Sequence, residues 1–176
     1  MREFGYPEFD ENGVMRLCDD QGGMMQNIAV HRLVSYENEF FMPHEEMAIV
    51  LIEGDVTFTW DDGWGRKYAD ARRGSCIDDP AYCLHVPRGV EVSVYANGPE
   101  RNRHEILVQS TENKEIFEPK LYTPENTRRE TFGQGRFEGK AVRTVSTFFD
   151  YGSAPYSNMV CGEILIPQGG WSSYPP

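Results

Sequence analysis

Histidine is scarce here. The chain of 176 residues has four, and no two of them form a His-x-His pair. Cysteine is equally sparse: Cys18, Cys76, Cys83 and Cys161 are scattered without a CxxC pair. Disulfide scaffolds are small and cysteine-dense, so these read as free thiols of a reducing compartment. The opening residues, Met1-Arg2-Glu3-Phe4-Gly5-Tyr6-Pro7, hold no apolar stretch suited to a signal peptide, and a cytoplasmic location is the expectation. The longest apolar run, Met47 to Ile52, is far too short to cross a bilayer. Basic residues are outnumbered, 17 against 28 acidic, which leaves a formal charge of −11. Such a field excludes nucleic acid and anionic membrane surfaces as natural partners and suits a soluble protein. No strongly periodic helix, internal repeat or low-complexity tract is present. Gly22-Gly23 and Gly133-Gln134-Gly135 lack the strand-to-helix setting of a phosphate loop, and nothing resembles a nucleophile elbow.

Strands and turns are what remain. Asn27 to Val34 alternates as a half-buried strand, and Met47 to Ile52 is continuously apolar, as a strand buried on both faces would be. After Glu53-Gly54, the residues Val56, Phe58 and Trp60 alternate with Asp55, Thr57 and Thr59, which gives one apolar face. Asp61-Asp62-Gly63 is a turn signal. Val90, Val92 and Val94 repeat the alternation before Asn97-Gly98-Pro99, and His104 to Ser110 supplies a further strand. Turns at short, fairly regular intervals mark an all-β sandwich or barrel. Residues 1–111 form the first expected domain. Residues 112–140, punctuated by Pro and Gly, read as a connector, with a short helical turn possible at Thr123-Pro124-Glu125. Strand character resumes at 141–149 and 159–166, so 141–176 is the expected start of a second unit.

Gly54 at a strand break and Pro87-Arg88-Gly89 further on resemble the two motifs of a cupin, a jelly-roll barrel. Its chemistry needs three imidazoles and a carboxylate converging inside the barrel to hold a divalent metal. In the stretch 40–47 before Gly54 this chain offers one histidine, His44, and the ligand position after Pro87-x-Gly89 is Val92. The first unit therefore reads as a cupin without a metal site. His44 beside Glu45 and Glu46 reads as a solvated loop, although a ligand cluster is the alternative. His85, amid Tyr82-Cys83-Leu84-His85-Val86, reads as a hydrogen-bonded core or rim histidine. His31 and His104 fall on strands with no partner at ligand spacing. Asp78-Asp79-Pro80 reads as a turn, not a catalytic pair.

The C-terminal half carries the most specific signal. Phe132-Gly133-Gln134-Gly135-Arg136, Arg143-Thr144-Val145, and Cys161 through Pro176 with its Gly170-Trp171-Ser172-Ser173-Tyr174-Pro175-Pro176 ending resemble the 5-deoxy-glucuronate isomerases of inositol catabolism. That two-cupin family also takes in 4-deoxy-uronate isomerases, and its first barrel holds no metal. The resemblance covers most of residues 44–176. In the family the Trp-Ser-Ser stretch leads directly into His-x-His-Asp, so the chain is expected to stop at the threshold of the metal motif. For an intact parent the resemblance implies a divalent metal, a small sugar-acid substrate, and aldose–ketose isomerisation through an enediol-like intermediate. Ser172, Ser173 and Tyr174 are then substrate-contact candidates near the second barrel's entrance. No catalytic residue and no metal ligand is assigned within the chain. Two other readings stay open: a non-enzymatic cupin module for small-molecule binding or assembly, and a metalloenzyme built on His31, His44, His85 and His104. Open strand edges after Ala141 also lead us to expect homo-oligomers.

Overall fold

The computed structural model of the protein describes residues 7–18, 26–61, 63–99 and 103–171. It is all-β among these residues, with one short 3₁₀ turn at Phe137–Gly139. The chain divides into two compact units, residues 1–121 and 122–176.

In the first unit the strands are β1 (Val14–Cys18), β2 (Gln26–Arg32), β3 (Asn38–Phe41), β4 (Glu46–Asp61), β5 (Arg66–Arg73), β6 (Cys83–Val86), β7 (Val92–Ala96) and β8 (Glu105–Thr111). A short β9 (Lys120–Tyr122) runs up to the boundary. The sheet order is β1-β2-β8-β4-β6-β9, and β3, β7 and β5 join through the far half of β4. All the pairings with residue registers are antiparallel. The result is the jelly-roll barrel of the cupin class.

Strand β4 explains the arrangement. Its first half pairs with β6 and β8, its second with β5 and β7. Met47, Ile49 and Leu51 reach the core from the first half, but Val56, Phe58 and Trp60 do so from the second. Odd positions give way to even ones because the ladder with β8 slips between Leu51 and Glu53. One extra residue turns the side chains over, so a single strand lines the core from both sheets. Gly54 follows with φ of 126°, and a Cβ there would lie 2.7 Å from His104 Nδ1 and 2.9 Å from Arg103 O. The Glu53-Gly54 break thus bends the strand without ending it. Ile106, Val108, Leu84, Val86, Val92 and Val94 complete the buried cluster.

Arg73, at the end of β5, is 1% exposed. Its guanidinium donates to the carbonyls of Leu51 (2.7 Å), Cys76 (3.1 Å) and Asp79 (3.2 Å). The Asp79 carboxylate accepts from the amides of Gly74 and Ser75, which closes the 74–80 turn on itself. A buried cation is tolerated because those carbonyls satisfy its donors.

In the second unit β10 (Arg128–Phe132), β11 (Arg143–Phe149) and β12 (Cys161–Leu165) form an antiparallel three-stranded sheet in that order. Residues 112–140 therefore contain β9 and β10 as well as turns; Thr123–Thr127 closes as a hydrogen-bonded turn. Tyr122 packs on Phe148 and Phe149. Arg128 and Asp150 are 2.6 Å apart, and this guanidinium, with Ser153, holds the Asp150 carboxyl down to about 2.

Replacing Arg73 by Met leaves buried carbonyls without donors, and we expect a loss of about 3 kcal/mol. The neighbouring Arg72 is exposed, so Arg72→Met should stay within about 0.5 kcal/mol. Urea unfolding midpoints of the two variants check the contrast.

Candidate functional site

Residues paired across an antiparallel ladder project to the same face. Glu46, Ala48, His85 and Gln109 share the face of the β2–β8–β4–β6 sheet opposite the core cluster. There Glu46 and His85 are both fully buried, with Nε2 of the imidazole 2.6 Å from Glu46 Oε1. Asn113, just past β8, donates to the other carboxylate oxygen at 2.7 Å. Phe117 stacks obliquely on the imidazole at 4.6 Å between centroids. Burial pushes the His85 pKa down from 6.5, the Glu46 hydrogen bond and charge oppose it, and Lys120 adds to the lowering. The ring is therefore neutral, with Nε2–H donating to the carboxylate. A pair this enclosed ties β4, β6 and the 113–117 segment together and meets no solvent.

Among the described residues the barrel interior offers no alternative centre. Val92 is fully buried in the apolar cluster beside Ile49, Phe58 and Leu84. The four histidines lie apart: His31 on β2, His44 exposed, His85 on the far sheet face, and His104 packed against Gly54. His104 Nδ1 accepts from the Asp55 amide, which leaves the proton on Nε2. Among the described residues no three of His, Cys, Asp and Glu converge as a metal would need. Glu46, one of the residues assigned by sequence to a solvated loop, is instead the buried first residue of β4.

A cleft of about 450 Å³ opens in the second unit, lined by Thr131, Phe132, Gly133, Gln134, Arg136, Phe137, Ala141 and Arg143. Thr131 and Phe132 end β10, and Arg143 begins β11 opposite Phe132. Gly133 permits the approach: its φ is 77°, and a Cβ there would collide with the Ala141 carbonyl. Phe137 and Glu138 take φ of 50° and 55°, uncommon for non-glycine residues. The Arg143 guanidinium lies 5.7 Å from the Phe132 ring centroid and touches Ala141 O at 3.4 Å. Neither Arg136 nor Arg143 forms an ion pair among the described residues. The cleft thus sets two guanidinium-bearing residues beside two phenylalanines.

Ser172, Ser173 and Tyr174 lie outside the described residues. Trp171 is described: its amide donates to Lys140 O at 2.7 Å, and its ring lies 5.7 Å from that of Phe137. Gly133-Gln134-Gly135-Arg136 carries the family resemblance and lacks the setting of a phosphate loop; that it forms a cleft wall depends on Ala141 and Arg143, which sequence spacing alone does not bring to it.

Because the folded His85 pKa lies below its unfolded value, its contribution to stability is present above about pH 6.5 and is lost as pH falls towards the folded value. Wild type should lose stability through that window, and His85→Gln should show less of the loss. Chemical unfolding at a series of pH values checks it; parallel curves would contradict the assignment.

Similarity to known proteins agrees with this fold. An IolB-like protein from Salmonella typhimurium LT2, solved by crystallography, is 20% identical with a TM-score of 0.65, over 82% of this chain and 52% of that one. The chain thus spans about half that protein's length. An oxalate decarboxylase variant from Bacillus subtilis is 15% identical with a TM-score of 0.47, over 68% of this chain and 32% of its own. A cupin 2 domain-containing protein from Halorhodospira halophila is 12% identical with a TM-score of 0.43, over 66% and 73%. No curated protein matches the chain. Among the described residues no helix is long and apolar enough to cross a membrane. The KduI/IolB family matches residues 10–176, both units included, and the chain belongs to that family.

Proposed function

We propose that the protein serves the aldose–ketose isomerisation of a deoxy-uronic acid, with the arginine-lined cleft receiving the substrate carboxylate. The observation that carries this reading is the cleft itself: two guanidinium groups without ion partners among the described residues, beside two aromatic side chains, in about 450 Å³. That volume lies within the range of small-molecule sites. Arginine is the side chain best suited to a carboxylate, because its planar donors match both oxygens. Phe132 and Phe137 supply apolar surface for the less polar face of a sugar ring.

The isomerisation moves one proton between adjacent carbons, which requires a positioned base within reach of substrate. The Glu46–His85 pair is fully buried and is not that base. The divalent metal expected of such an isomerase finds no fitting donor set among the described residues. The cleft is accordingly assigned to recognition, not to proton transfer.

The test uses the gene's entire translation product, supplied with divalent metal, and follows 5-deoxy-glucuronate by proton NMR. Conversion to the ketose is expected, and Arg143→Met should raise KM by about tenfold to a hundredfold, the range of one charge-assisted hydrogen bond. kcat should change far less. Absence of conversion, or an Arg136→Met/Arg143→Met double variant with unchanged KM, would overturn the reading.

A further inference from the structure

The loop that walls the cleft is closed mainly on itself. The amides of Arg136, Gly139, Lys140 and Val142 each donate to the carbonyl three positions earlier, at 3.0 to 3.3 Å. Within these short turns Phe137 and Glu138 stand consecutively at positive φ, 50° and 55°. A side chain there crowds its own backbone, so the conformation persists only where neighbouring structure holds it.

The chain returns to this loop from the far end of the second unit. A turn at 167–170 is closed by the Gly170 amide on the Pro167 carbonyl at 2.8 Å. Gly170 permits the approach, since a Cβ there would lie 2.9 Å from Pro167 O, 3.0 Å from Ile166 Cγ2 and 3.3 Å from Lys140 O. The Trp171 amide then donates to Lys140 O at 2.7 Å, and its indole lies 5.7 Å from the Phe137 ring. The Lys140 ammonium stands 5.8 Å from the indole centroid, within reach of a cation–π contact. One residue therefore holds Lys140 through its backbone and Phe137 through its ring, on either side of Glu138. Phe137 and Arg136 line the cleft, and Trp171 acts on it through Phe137.

We propose that Trp171 is a positioning residue for sugar-acid recognition: its indole holds Phe137 and Glu138 at positive φ and so keeps the Phe137 ring and the adjoining Arg136 guanidinium at the cleft. Without the indole the turn relaxes towards ordinary φ, and both side chains leave their places. The loss falls on substrate binding, not on proton transfer. This role rests on the reading of the cleft as the sugar-acid site.

Trp171→Ala keeps the backbone hydrogen bond and removes only the ring. In the gene's entire translation product, supplied with divalent metal, it should raise KM for 5-deoxy-glucuronate about tenfold and leave kcat little changed. Trp171→Phe keeps an aromatic face against Phe137 and should bring KM back to within about twofold of wild type. Without substrate, hydrogen exchange followed by NMR should show the amides of Gly139, Lys140 and Val142 exchanging about tenfold faster in Trp171→Ala, with those of β11 unchanged. Equal exchange in wild type and Trp171→Ala overturns the positioning role whatever the kinetics. Lost protection that extends to β11, or a fall in kcat as large as the rise in KM, marks a merely structural role and also overturns it. Faster loop exchange with unchanged KM, while Arg143→Met still raises KM, overturns the link to recognition and leaves the cleft as the sugar-acid site. If Arg143→Met leaves KM unchanged as well, the reading of the cleft itself falls, and this role with it.

Discussion

One strand serves two sheets, and the first unit depends on that. A strand's side chains alternate strictly, so a strand crossing between sheets keeps its apolar side inward only if its parity changes at the crossing. Strand β4 changes parity at the slip between Leu51 and Glu53, next to Gly54. His104 lies where a Cβ on Gly54 would sit, and its Nδ1 accepts from the Asp55 amide, so the bend and the start of β8 hold each other in place. Without the extra residue, Val56, Phe58 and Trp60 would point outward, and the core would lose its second wall.

Because both walls are apolar, the interior is filled by the side chains of the buried cluster. Polar chemistry is displaced to the margins. The Glu46–His85–Asn113 cluster sits on the face opposite the core and is sealed. Such a buried pair is costly to break, because removing one partner leaves the other's polar group buried and unsatisfied. In the second unit the arginine cleft is formed where a glycine turn after β10 passes under Ala141 and Arg143.

The strands were legible where alternation or continuous apolarity was strong: 27–34, 47–52, 56–60, 90–95, 104–110, 141–149 and 159–166 all overlap observed strands. Strand β5, with the sequence Arg66-Lys67-Tyr68-Ala69-Asp70-Ala71-Arg72-Arg73, was not legible. Its outward face is largely polar and its inward face holds only Ala69 and Ala71 between Lys67 and Arg73, so its strand state comes from pairing with β4 and not from its own pattern. Glu46 was misplaced because an acidic residue beside His44 and Glu45 looks solvated; its burial depends on Asn113, 67 positions away. His85 was readable as a core histidine from its apolar neighbours alone. The cleft was legible only as a family motif, because two arginines and two phenylalanines signify a site only after β10 and β11 pair. The sugar-contact candidates Ser172, Ser173 and Tyr174 fall outside the described residues.

The central claim is that sugar-acid recognition belongs to the arginine cleft and that the first barrel's interior is a packed core. A crystal structure of the gene's entire translation product, soaked with a deoxy-uronic acid that cannot isomerise, tests it most directly. The account predicts the carboxylate density against Arg136 and Arg143. A sugar acid bound inside the first barrel among Ile49, Leu84 and Val92, with the cleft empty, would contradict it.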